Sequence, residues 1–207
     1  MAVQTVQVEA ERTVIIHVYL YSAARLALKQ AEKSEEGQFF NVMNSLISSA
    51  FCIEAYFNFV GERVIPHWEI IERKLSPKEK LDLICACIDL QDIKGKTVYH
   101  SFHRVFKFRN LVAHGRLETV KASWIERRES GNPREYPETE WEKLCTVKTA
   151  KTVLSDVETL IRLLHKKAEL DGDPFGSLGH GMSERRLRPT PPNKKHTLGI
   201  GDAPRRD

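Results

Sequence analysis

The chain has 207 residues, 41% of them hydrophobic, which is enough for one well-buried domain, and no repeat or second periodic block asks for another. Its formal charge of +4 says little about the partner of the folded part, because residues 172–207 hold seven Lys/Arg against four Asp/Glu and leave only +1 for residues 1–171, so that only local clustering around Arg109 and His114 carries weight. No stretch approaches the length needed to cross a bilayer and the N-terminus has no basic segment leading into an apolar run, so a soluble cytoplasmic protein without a membrane partner is expected.

In chain order, Val14, Ile15, Val18, Tyr21, Ala24, Arg25 and Leu28 recur with near-helical period and predict a first helix over residues 12–32. A Ser-Glu-Glu-Gly break follows. Phe39, Met43, Leu46, Ala50, Ile53, Phe57 and Val60 then alternate steps of four and three, which predicts a central second helix ending at Gly61. Pro66 opens a short turn carrying Trp68, Ile70 and Ile71. Ser76-Pro77-Lys78-Glu79 has the form of a capping box with proline at the first helical position, followed by an inward face of Leu81, Ile84, Cys85 and Ile88.

After Gly95, Val98, Phe102, Val105, Arg109 and Val112 define another amphipathic helix, with Gly115 as its stop. Periodicity fails between Arg116 and Glu140, where turn residues mark a loop with a short strand pair around Leu117 to Trp124. Val147, Ala150, Leu154, Val157, Ile161 and Leu164 predict the closing helix. From Gly172 onward glycine, proline and charge dominate, so residues 172–207 read as a disordered basic tail behind a domain of residues 1–171. Cys52, Cys85, Cys87 and Cys145 lack metal-site spacing and read as buried thiols of a reducing compartment, and Trp68, Trp124 and Trp141 read as core or interface residues.

The densest chemistry lies at the end of the helix that begins near Thr97. His100, Arg104, Lys107, Asn110 and His114 recur at steps of four and three and share a stripe, with His103 beside it and Arg116 just beyond. Such a surface attracts RNA or nucleotide phosphate. Arg109 stands about 100° round from Asn110, among apolar residues, and a guanidinium there needs a partner or a bound anion. Glu54 on the second helix is the expected partner, with Asn58 one turn further along. Pairing with Glu54 would hold the guanidinium and leave part of its fork for a phosphate.

Arg109, Asn110 and His114 resemble the Arg-x4-His signature of the HEPN superfamily, and Glu54 and Asn58 look like the polar positions that line that family's site. The resemblance implies an all-α HEPN-like bundle, with a loop or small β insertion before the last helix. It also implies metal-independent endoribonucleolytic cleavage of RNA without a cofactor, a homodimer sharing one cleft, and a prokaryotic toxin–antitoxin or phage-defence setting with an antitoxin or other protein partner. In that chemistry His114 acts as general base, Arg109 stabilises the phosphoryl transition state and Asn110 orients the histidine or a phosphate oxygen, while His100, His103, Arg104, Lys107 and Arg116 bind RNA. Some family toxins carry a modified tyrosine two residues after the histidine. This chain has Arg116 there, which leaves a modifying antitoxin of that type unsupported. The alternative is a catalytically inactive HEPN-like module that binds RNA, nucleotide or a protein partner.

Overall fold

The longest periodic stripe in the sequence becomes the axis of the structure. In the computed structural model, which describes residues 6–91, 93, 95–123 and 136–187, six helices are present among the described residues: α1 (Ile16–Lys33), α2 (Gln38–Val64), α3 (Trp68–Ile71), α4 (Pro77–Cys87), α5 (Thr97–Ala113) and α6 (Val147–Lys167). α2 packs against all five others. Its Leu46, Ala50, Ile53, Phe57 and Val60 are at most 1% exposed, so the alternating four and three spacing did place them on one inward seam. α6 brings Val153, Leu154, Val157, Leu160, Ile161 and Leu164 to the same core. The molecule is therefore a helical bundle, and none of its helices is long and apolar enough to cross a membrane among the described residues.

α4 begins as its sequence requires. Ser76 Oγ accepts from the Glu79 amide at 3.3 Å, and Glu79 Oε2 accepts from the Ser76 amide at 2.7 Å, so two otherwise orphaned amide donors are satisfied where Pro77 has none to offer.

Several boundaries differ from expectation. α1 starts at Ile16 and not at residue 12, because Val6–Val14 forms a strand, β1, that pairs with a second strand, β2 (Gly179–Leu187), in a two-stranded sheet. Val6, Val8, Ala10 and Val14 alternate with polar residues at period two, interrupted only at Arg12, and the β-branched Thr13, Val14 and Ile15 favour an extended backbone before the helix. Arg25, placed on the inward stripe, is exposed. The small sheet is thus formed by the two ends of the described chain and not before α6; Gly115–Ser123 contains no strand, and Trp124 lies outside the described residues. β2 also corrects the reading of residues 172–187 as a disordered tail, while 188–207 lie outside the described residues. Cys52 and Cys85 are buried as expected, but Cys87 at the end of α4 is exposed and Cys145 only half-buried.

Gly61 does not stop α2; it lies inside the helix, buried, with the indole of Trp68 laid across it. A Cβ there would sit 2.4 Å from Trp68 Cε2, and Trp68 is 2% exposed, so the whole indole would have to shift. Gly61→Ala gains about 1 kcal/mol of helix propensity. The overlap costs about 1–3 kcal/mol or more, and at this depth the upper end governs. A net loss of about 2 kcal/mol, read as a fall in Tm of ~4–8 °C, is expected in thermal unfolding.

Beyond α6 the chain folds back over α1 and α6. His17, 1% exposed, donates Nε2–H to the Pro174 carbonyl at 2.8 Å. His165 donates Nε2–H to the Asp171 carbonyl at 3.2 Å and accepts the Tyr56 hydroxyl on Nδ1. Phe175 lies against the Tyr21 ring at 4.2 Å and Arg162 pairs with Asp173 at 3.0 Å. Burial lowers the His17 pKa, opposed by the Pro174 bond and reinforced by His165 and Arg63. Neutral His17 is thus the folded form, and below the unfolded value of about 6.5 only the unfolded chain takes up that proton. This stability is complete above pH 6.5 and is lost as pH falls, by at most about 1.4 kcal/mol per unit. Tm measured from pH 7.5 down to 5.5 is expected to fall less steeply in His17→Leu, whose starting Tm is itself lower.

Candidate functional site

α5 carries the site because one of its apolar slots is filled by a cation. Val98, Phe102 and Val105 point into the core, and the next position on that face is Arg109. Its Nη2 donates to Glu54 Oε2 on α2 at 2.7 Å, with the two side chains 20% and 31% exposed. Nη1 donates to Asn110 Oδ1 at 3.0 Å, and the guanidinium carbon stands 5.3 Å from the Phe106 ring centroid. Nε is buried without an acceptor. The Glu54–Arg109 pair therefore forms as the sequence requires, and Asn110 is the second group that fixes the guanidinium.

One residue further round, Asn110 enters a cleft of about 650 Å³. His103, Lys107, Asn110 and His114 line one wall from α5, and Gly115 and Arg116 continue it where the helix ends. The facing wall is the start of α4, with Ser76, Pro77 and Lys78, and the floor is apolar, from Phe102, Phe106 and Leu111. His114 is the C-terminal capping position of α5, with its amide bonded to the Asn110 carbonyl at 3.0 Å, so its exposed ring sits at the open end of the helix. Phosphate oxygens entering this cleft would meet Lys107, Lys78 and Arg116, with an aromatic floor for a base. Lys78 is partly neutralised by Asp82 one turn along α4, and Glu118 adds a carboxylate to the lining.

The expected residues therefore divide. His103, Lys107, Asn110, His114 and Arg116 share the cleft, whereas Arg109 and Glu54 sit beside it and are absent from its lining. That separation follows from the 140° between positions five apart on a helix, which the chain keeps as far as Ala113. His100 and Arg104 are exposed on α5 outside the cleft. Asn58 belongs to another region: its Oδ1 accepts from Lys80 at 2.8 Å, and it lines a different cavity. Sequence reading missed Ser76, Lys78 and the aromatic floor. The capping box announced a helix start there, but no local signal says which helix that start faces.

Comparison with family models, curated proteins and solved structures gave no match for this chain.

Proposed function

We propose that the chain is a metal-independent endoribonuclease of HEPN type that works as a homodimer in a toxin–antitoxin or phage-defence setting. The observation that carries the reading is the cleft in which His114, Asn110, Lys107, His103 and Arg116 meet, tied through Asn110 to a guanidinium held by Glu54. His114 takes the proton of a ribose 2'-hydroxyl, the 2'-oxygen attacks the adjacent phosphorus, and the bond to the 5'-oxygen breaks as that oxygen takes a proton from solvent water. The products are a 2',3'-cyclic phosphate and a 5'-hydroxyl, and DNA is inert because it has no 2'-hydroxyl. Arg109 stabilises the charge that gathers on the phosphoryl oxygens. Since Arg109 and His114 of one chain face different sides of α5, the catalytic pair is completed by a second protomer.

One observation favours the runner-up, an inactive module that holds RNA, nucleotide or a protein partner: two nitrogens of the Arg109 fork are already bonded, to Glu54 and Asn110. Incubating a mixed RNA pool with the full chain in excess chelator decides between them. Cleavage with cyclic phosphate ends is expected, and folded protein that retains RNA without cutting it selects the module.

A further inference from the structure

The cleft on α5 is longer than one phosphodiester. His103 and His114 line the same wall, and the helix between them sets their positions about 20° apart around its axis and roughly 16 Å apart along it. The reacting 2'-oxygen, phosphorus and 5'-oxygen are bonded in sequence and fit beside His114 alone, so His103 meets a different part of the ligand. Lys107 and Asn110 stand between the two at steps of about 4.5–6 Å along the helix. Asn110 gives its Oδ1 to Arg109 and keeps its amide N–H groups as donors. This middle stretch therefore offers one cation and one neutral donor to a phosphodiester backbone running along α5.

The His103 end is built differently. Its imidazole is exposed yet fixed, 4.4 Å from the Tyr99 ring centroid and 5.1 Å from that of Phe102, and nearly perpendicular to both at 81° and 74°. Phe102 in turn meets Phe106 at 4.9 Å, and both line the floor while only 2% and 7% exposed, so the core holds them in place. Pro77 and Lys78 supply the facing wall. Asp82 first, and Tyr99 after it, raise the Lys78 pKa, which sets that ammonium toward the Tyr99 end of the cleft. A flat ring entering here meets aromatic surface whose orientation is already set, with a cation beside it, and loses little freedom that the site has not already lost. A base paired in an A-form duplex is stacked between its neighbours and does not reach a floor lying between two helices.

We infer that His103, with Phe102 and Phe106 beneath it, forms a subsite for one unpaired base of an RNA strand laid along α5, some nucleotides away from the phosphate at His114. A stacked strand advances ~3.4 Å per nucleotide, so the two ends are at most about five nucleotides apart, and fewer where the strand is extended. The inference rests on the reading of this cleft as an RNA site. It adds the requirement for an unpaired segment and a residue, His103, that selects by stacking and takes no part in the bond that breaks.

Anisotropy titration of the full chain, in chelator, with labelled 2'-O-methyl oligonucleotides of one to about twelve nucleotides tests this, because the capped hydroxyl cannot attack and the ligands stay intact. Affinity is expected to climb with length to about five nucleotides and then level off, and the longest strand annealed to its complement to bind at least about tenfold more weakly than it does alone. His103→Ala, at an exposed position, is expected to weaken the longest strand by about tenfold or more, and His103→Phe, which keeps an aromatic face, to hold it within about threefold of native. Equal binding of duplex and single strand overturns the subsite. So do unchanged affinity in folded His103→Ala, a loss in His103→Phe as large as in His103→Ala, and no binding of the longest strand. Incubation with natural RNA keeps the two readings apart: cutting without these binding differences removes the subsite and leaves the nuclease, and these binding differences without cutting keep the subsite and select the inactive module.

Discussion

His114→Ala is expected to lower the rate of RNA cleavage by about 10²–10⁴-fold, the usual contribution of a positioned proton acceptor. Its Tm should stay close to that of the native chain, because the ring is exposed at the end of α5 and fills no core volume. Arg109→Ala is expected to cost about 10²–10³-fold, the scale of removing one charged stabiliser of a developing phosphoryl charge. Neither loss alone says whether the two groups serve the same site. Mixing the two inactive variants does. If the catalytic pair spans two protomers, a mixed dimer owns one site with Arg109 from one chain and His114 from its partner. With half the dimers mixed and one of their two sites intact, about a quarter of native activity returns. Two sites each complete within a chain would return nothing on mixing, and the dimeric form of the proposal would fall. Native rates that scale with the dimer fraction at low concentration are the companion result.

The parts of this architecture that were legible in the sequence are those whose signal is local. α2 and α6 carry long apolar stripes, and a single wrong register would bury their charges. The start of α4 was legible because a capping box is a contact between residues three apart. Even Glu54–Arg109, with 55 residues between its members, could be read, since a cation in an apolar slot on a helix facing α2 has few carboxylates within reach. What could not be read depends on partners that the sequence does not specify. β1 looks like the approach to a helix until β2 supplies hydrogen bonds from the far end of the chain. Gly61 looks like a stop until Trp68 shows why a side chain is missing there. Asn58 has the spacing of a companion to Glu54, yet Lys80 claims it from α4. The α5 cleft itself is half legible: its His103, Lys107, Asn110 and His114 wall is a helix stripe, and its opposite wall is a packing outcome.

Glu54→Ala is expected to destabilise the fold by about 2 kcal/mol, a fall in Tm of ~4–8 °C. The size follows from where the guanidinium stands. A fully buried cation stripped of its partner costs about 3–5 kcal/mol, and an exposed pair about 0–1. Arg109 is 20% exposed, with Nε already lacking an acceptor and Asn110 left as its one remaining bond, which puts it between those limits. Glu54→Gln keeps an acceptor without the charge and is expected to lose roughly half as much. The decisive variant is Glu54→Ala combined with Arg109→Met. With no cation left to orphan, the double variant should be more stable than the two single losses summed, by about 1–2 kcal/mol. Additive losses would mean that solvent screens the pair and that Arg109 is not preorganised. A positive coupling, together with a cleavage rate that falls in Glu54→Gln while RNA retention does not, would assign Glu54 the role of positioning the guanidinium for the transition state.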